Sequence, residues 1–341
     1  MTTVPWPPRV APPPPTPVDR YAAPPDLHVI AEGLRFPEGP IACDDGSVLF
    51  VEVRGATLSR AHPSGEVEVI ADLDGGPNGA AIGPDGAVYI CNNGGLPWTQ
   101  LPDGSWYPLD ARTGSMTPAG YAGGWIERVD LLTGVVLRLY DSSDGRSLSA
   151  PNDIVFDANG EMWITDTGKT GTDETAFGAV YRARPDGSAI VTVAYGLAGP
   201  NGIGLSPDGQ HLYVADTPTG RIWCWNVDEL GSGRSPRDHG GTVIARLPGS
   251  IALDSLAVDL EGRIVVALPG AGALATISPD GAMWLVEMPD QMPTNVCFGG
   301  PEGRIAYVTL AATGRLVSFE WPVDLPAVIG PTTRGEASDV D

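Results

Sequence analysis

Six ungapped segments of this chain share one pattern, a polar residue followed eight positions later by glycine. They read PEGPIACDDG (37–46), PNGAAIGPDG (77–86), PNDIVFDANG (151–160), PNGIGLSPDG (200–209), LDSLAVDLEG (253–262) and TNVCFGGPEG (294–303). The polar residue is in turn Glu38, Asn78, Asn152, Asn201, Asp254 and Asn295. An interval kept six times is the mark of a repeat architecture, and it constrains the fold more than any other feature. Each unit continues in the same way. A short apolar run after the polar residue reads as a buried strand, and the Asp-Gly, Asn-Gly or Glu-Gly pair is a hairpin turn. A second strand follows (SVLFVE, AVYICN, EMWITD, HLYVAD, RIVVAL, RIAYVT). Then come a Gly-rich turn, a third strand such as GRIWCWN, and an outer fourth such as GEVEVIADL. The fold class is therefore all-β, a six-bladed β-propeller with four antiparallel strands per blade.

After the sixth repeat the chain supplies a third strand (314–321) and then two prolines, so one outer strand is missing. The segment DLHVIAEGL (26–34) resembles the outer strands, and residues 27–33 are expected to close the ring by pairing into the last blade. Glycine (45) and proline (34) make up about 23% of the chain, which fits either disorder or many short strands and turns. The 42% hydrophobic content supports the folded alternative.

The domain reading is a Pro-rich arm (1–25), a propeller (26–325) and an acidic tail (326–341). Repeat intervals of 40, 74, 49, 53 and 41 residues locate an insertion at about 93–123, with smaller ones near 167–178 and 228–240. The long insertion carries Trp98, Trp106 and Tyr107, which either form a lid over an apolar ligand or fold the insertion onto the propeller. A net charge of −22 repels nucleic-acid phosphates and anionic membranes alike. Neither a leader-like start nor a membrane-spanning run is seen, so a cytoplasmic location is expected. The four cysteines form no CxxC pair, which signals neither zinc nor redox chemistry.

The six polar residues begin the innermost strands and should ring one mouth of the central channel. One Glu, one Asp and four Asn offer oxygen acceptors on short side chains, suited to a hard divalent cation. Asn-Gly and Asn-Asp are also common turn formers, so a repeat can keep asparagine merely to cap a loop. For Glu38 and Asp254 that reading is weaker. Two carboxylates facing each other across a channel need a positive partner, and no Lys or Arg takes an equivalent place.

The motifs FPEGP (36–40), APNDIVFD (150–157), GPNGIGLSPDG (199–209) and LDSLAVD (253–259) resemble the senescence marker protein/gluconolactonase/luciferin-regenerating enzyme family of calcium-dependent propellers. That resemblance implies metal ligation by Glu38, Asn152, Asn201 and Asp254. It also implies hydrolysis of lactones, often sugar lactones, and in some members of organophosphates; with the aromatic insertion as a lid, a hydrophobic or aromatic lactone or ester is expected equally. The metal is expected to be Ca²⁺, with Zn²⁺, Mn²⁺ and Mg²⁺ as alternatives. Asp254 would also be the catalytic residue, as general base or as nucleophile. Asn78, Asn92, Trp98, Trp106, Tyr107 and Asn295 are the candidate substrate contacts. Glu52, Asp166 and Asp216, which with Asn92 end the second strands, either orient the ligands or serve as turn residues. Arg54 is the one candidate arginine for an acidic substrate. All four histidines fall away from the channel mouth, and GxSxG is absent, so neither a histidine base nor a serine nucleophile is expected. Rival readings are a non-catalytic propeller binding a metal or a partner, and a phosphotriesterase-type hydrolase. The oligomeric state is not readable.

Overall fold

The computed structural model describes residues 21–22, 25–231, 240–249 and 251–322. Six antiparallel sheets stand in chain order, each a blade. The inner strands are Pro37–Ala42, Pro77–Ile82, Pro151–Phe156, Pro200–Leu205, Leu256–Val258 and Pro293–Gly299. Every Gly-ended repeat closes a hairpin into the next strand. Gly46 at φ 80° and Gly209 at φ 70° show why glycine is kept there, since side-chain-bearing residues rarely adopt such angles.

The expected closure is observed. His28–Glu32 is the outer strand of the last blade and pairs antiparallel with Arg315–Glu320. Within the arm, Tyr21–Ala22 adds a fifth, parallel strand to the edge of blade five, opposite Leu285 and Val286. Residues 1–20 and 23–24 of the arm, residues 232–239 of the third insertion (with His239) and the tail lie outside the described residues. No α-helix occurs among the described residues, and no helix is long and apolar enough to cross a membrane.

Six layers of the core lie one between each pair of neighbouring blades, and Phe36, Val53 and Ala311 form a smaller cluster besides. Leu49, Val51 and Leu58 of blade one meet Val88, Ile90 and Val129 of blade two. The seam that closes the ring joins Ala31 and Leu316 of blade six to Val48 and Phe50 of blade one. Because each layer is shared, trimming one methyl is felt by two blades. Ile90 is fully buried, and Ile90→Val is expected to lower unfolding free energy by about 1 kcal/mol, read from the denaturant midpoint.

Candidate active site

The inner strands are irregular where the polar residues sit. Pairing registers shift between Glu38 and Ile41, Pro77 and Ala80, Pro151 and Ile154, Pro200 and Ile203, and Pro293 and Asn295. Such irregularities re-aim side chains that a regular strand would alternate between its two faces. In blade five the regular strand starts at Leu256, and Asp254 is held just ahead of it by a hydrogen bond from its N–H to the Ala267 carbonyl. The Asn-Gly pairs are therefore parts of strands, not turns. A Cβ on Gly79 would lie 2.5 Å from the Asn152 carbonyl oxygen, and one on Gly202 2.7 Å from that of Asp254. Glycine follows the polar residue because the neighbouring blade's backbone passes directly over it.

A cavity of about 570 Å³ opens above this ring. Glu38, Asn78, Asn152, Asn201 and Asp254 all line it. Glu38 is 2% exposed, and its Oε2 accepts hydrogen bonds from the Gly39 N–H (2.7 Å) and Asn295 Nδ2 (2.8 Å). Burial pushes its pKa up to about 7. Burial also holds the Asp254 carboxyl well above the usual range, with the Glu38 charge adding to the effect and a hydrogen bond from the Asn201 side chain opposing it. Asp153 is a third buried acid at the ring, raised to about 8 by burial and then by Glu38. Sequence reasoning passed over it as the second residue of an Asn-Asp pair. Its carboxylate accepts from the Ile154 N–H and does not line the cavity.

The amides carry a second signal. Oδ1 of Asn78, Asn152 and Asn201 is buried in each case and has no hydrogen-bond partner. Unpaired buried acceptors are rare and costly, and each needs an explanation. Three of them facing one cavity with two acids form an all-oxygen donor set that a divalent cation would satisfy. Among the described residues no group of three or more His, Cys, Asp and Glu is arranged to hold a metal, so any cation here depends on the amides.

The remaining expected contacts divide. Asn295 does not line the cavity; its Nδ2 is spent on Glu38 and its Oδ1 on the Val296 N–H (2.7 Å). It positions Glu38. Three of the residues ending the second strands fasten the loops that lead into the inner strands. Glu52 accepts from the Arg35 N–H, Asn92 from the Gly76 N–H, and Asp166 from the Ser149 and Ala150 N–H groups. Asp216 takes the Trp223 indole N–H at 3.3 Å. None of the four lines the cavity, Asn92 included.

The aromatic residues of the insertion separate in the same way. Trp106 and Tyr107 form one strand of a small hairpin with Thr99–Gln100. Only Tyr107 lines the cavity. Trp106 is covered by the Arg54 guanidinium, 4.6 Å from its ring, and Arg54 does not line the cavity. Trp98 packs edge-on against Phe36, with ring centroids 5.0 Å apart, one layer behind the wall that Phe36, Leu96 and Met292 present. Phe36 holds a φ of 62°, unusual for a bulky residue and placed two positions before Glu38. Lys169 was missed altogether. It lines the cavity from the loop after Met162–Asp166, where no repeat position draws attention to it.

Comparison with known proteins identifies the family. The family model for the SMP-30/Gluconolactonase/LRE-like region matches residues 36–312. The chain belongs to this family. A gluconolactonase of Zymomonas mobilis subsp. mobilis is 28% identical over 315 residues, covering 83% of this chain and 78% of the relative. Among solved structures, a Xanthomonas campestris gluconolactonase superposes with a TM-score of 0.65 at 23% identity, over 88% of this chain and 89% of the other. The calcium-binding protein regucalcin of Agrobacterium tumefaciens gives 0.63 at 19% identity, over 90% and 97%. At these identities the structural likeness speaks for the fold.

Proposed function

We propose that this protein is a divalent-metal-dependent hydrolase that opens a lactone in the cavity above the ring, with Ca²⁺ as the resident ion. The observation that carries the reading is the convergence of three partnerless amide oxygens and two buried acids on one cavity. Support comes from the family and from relatives named as lactonases, among them the gluconolactonase of Zymomonas mobilis. Glu38, Asn152, Asn201 and Asp254 would hold the cation, and Asn78 either completes the set or faces the substrate. When bound, the ion supplies Lewis acidity toward the lactone carbonyl and the developing oxyanion.

The chain's own residues supply the rest. The Asp254 carboxylate, steadied by the Asn201 amide, accepts the proton of the attacking water as general base. Asn295 fixes the Glu38 carboxylate through Oε2, so its direction does not have to be found on binding. Leu96, Pro108, Met116 and Met292 give the cavity apolar walls that exclude bulk water and accept the carbon face of a lactone, sugar-derived or hydrophobic.

The test is a panel of neutral, hydrophobic and aromatic lactones, with phosphotriesters alongside, assayed with calcium and after chelation. Ring opening is expected for at least one lactone, with at least a tenfold loss on chelation and recovery on adding calcium back. Phosphotriester cleavage alone would replace this reading with the phosphotriesterase one. No turnover of any kind would leave a binding propeller, and chelator-resistant lactone opening would remove the metal from the mechanism.

A further inference from the structure

Three charged side chains line the cavity among the described residues, namely Glu38, Asp254 and Lys169. The first two are acids of the ring. Lys169 is the one cation, 7% exposed, in the wall formed by the loop after blade three's second strand. Its Nζ donates to the carbonyl oxygens of Asn93 (2.9 Å) and Gly95 (2.7 Å) and lies 5.1 Å from the Tyr121 ring. An ammonium has three donors, and these two carbonyls account for two. No described carboxylate forms an ion pair with it.

A buried ammonium without a counter-ion is expensive. Here burial lowers its pKa to about 7, only partly opposed by the charge of Asp166. Pinning the base of the insertion to Asn93 and Gly95 could be done by a neutral amide at lower cost. What a neutral amide would not supply is a positive charge for an anion, in a protein whose net charge of −22 opposes anion binding.

We propose that Lys169 is a substrate-binding residue that reads a carboxylate carried by the lactone away from its ring carbonyl, so that the site prefers acidic lactones over neutral ones. This rests on the lactonase reading above for the orientation of the substrate, with the ring carbonyl at the acids and the remote carboxylate at Lys169. A charge-assisted hydrogen bond of this kind, made in a water-poor wall, discriminates by about tenfold to a hundredfold.

The test uses calcium-loaded full-length protein with glucono-1,4-lactone and glucaro-1,4-lactone, which differ only in a terminal CH₂OH against a carboxylate. The wild type is expected to favour the acidic lactone at least tenfold in kcat/KM. In Lys169→Met that ratio is expected to fall to about one, through KM. Both substrates are assayed on one preparation, so the ratio is independent of how much of the variant is folded, and a merely structural lysine would lower both rates together. A wild-type ratio of one or less, or a ratio unchanged in Lys169→Met, overturns the proposal. Calorimetry with the stable open-chain acids, gluconate and glucarate, separates it from the lactonase reading. Lys169-dependent preference for glucarate with neither lactone opened would sink the hydrolase reading and keep this one. Turnover of both lactones without a Lys169-dependent preference would do the reverse, and failure of both measurements sinks both.

Discussion

Asp254→Asn is expected to lower lactone turnover by about a thousandfold or more at saturating calcium, with the fold intact. The substitution keeps the size of the side chain and removes the proton acceptor. It also takes one buried negative charge out of a ring where burial and Glu38 both oppose that charge. The variant should therefore fold at least as well as the wild type in the absence of metal, which circular dichroism and a thermal midpoint would read. Two effects need separating, weaker ion binding and loss of the base. Calcium titration by calorimetry gives the first, and turnover at saturating calcium gives the second. Asp153 provides the control, since its carboxyl is buried and raised but turned away from the cavity. Asp153→Asn should cost far less turnover than Asp254→Asn. Turnover of Asp254→Asn within tenfold of wild type at saturating calcium would exclude Asp254 as the base.

The blade count, the closing strand and the ring positions were legible in the sequence because each depends on local chemistry repeated at a fixed interval. The turn glycine must supply a positive φ, and eight residues earlier the chain must enter the channel. Asn78, Asn152 and Asn201 illustrate the limit of that signal. Their neighbours suggested turns, yet Gly79 and Gly202 are kept for the approach of the next blade's backbone, a contact between residues more than fifty positions apart. Spacing also cannot show which end of an amide is already used. Asn78 and Asn295 look alike in the repeat, but Asn78 leaves its oxygen unpaired and Asn295 has spent both ends. The strand-end residues Glu52, Asn92 and Asp166 looked like a second polar tier because they recur, and they recur because each of the first three blades fastens the loop before its inner strand in this way. Lys169 lies in an insertion, outside any repeat, and its partners Asn93 and Gly95 are in another blade.

The ring acids give the second large effect, a stability that depends on pH in opposite senses with and without metal. In the metal-free protein Glu38 titrates near 7, above its ordinary 4.5, and Asp254 is raised as well. A carboxyl with a raised folded-state pKa binds more protons folded than unfolded between the two values, so stability falls as pH rises through that window. From pH 5 to pH 8 the metal-free protein is expected to lose on the order of 3 kcal/mol from Glu38 alone, roughly a hundredfold in the folding equilibrium. Calcium should reverse the trend, because the ion binds the ionised acids and gains affinity as they lose their protons. Glu38→Gln tests both halves in one protein. It keeps the side chain's size, removes the charge that burial disfavours, and should make the metal-free protein more stable than wild type at pH 8. The same variant should lose most of the stabilisation by calcium. Denaturant midpoints at pH 5 and pH 8, with chelator and with calcium, give the four values needed. A wild type that is more stable at pH 8 than at pH 5 under chelation, or a Glu38→Gln protein stabilised by calcium as strongly as wild type, would show that these acids are not the buried, cation-dependent pair described above.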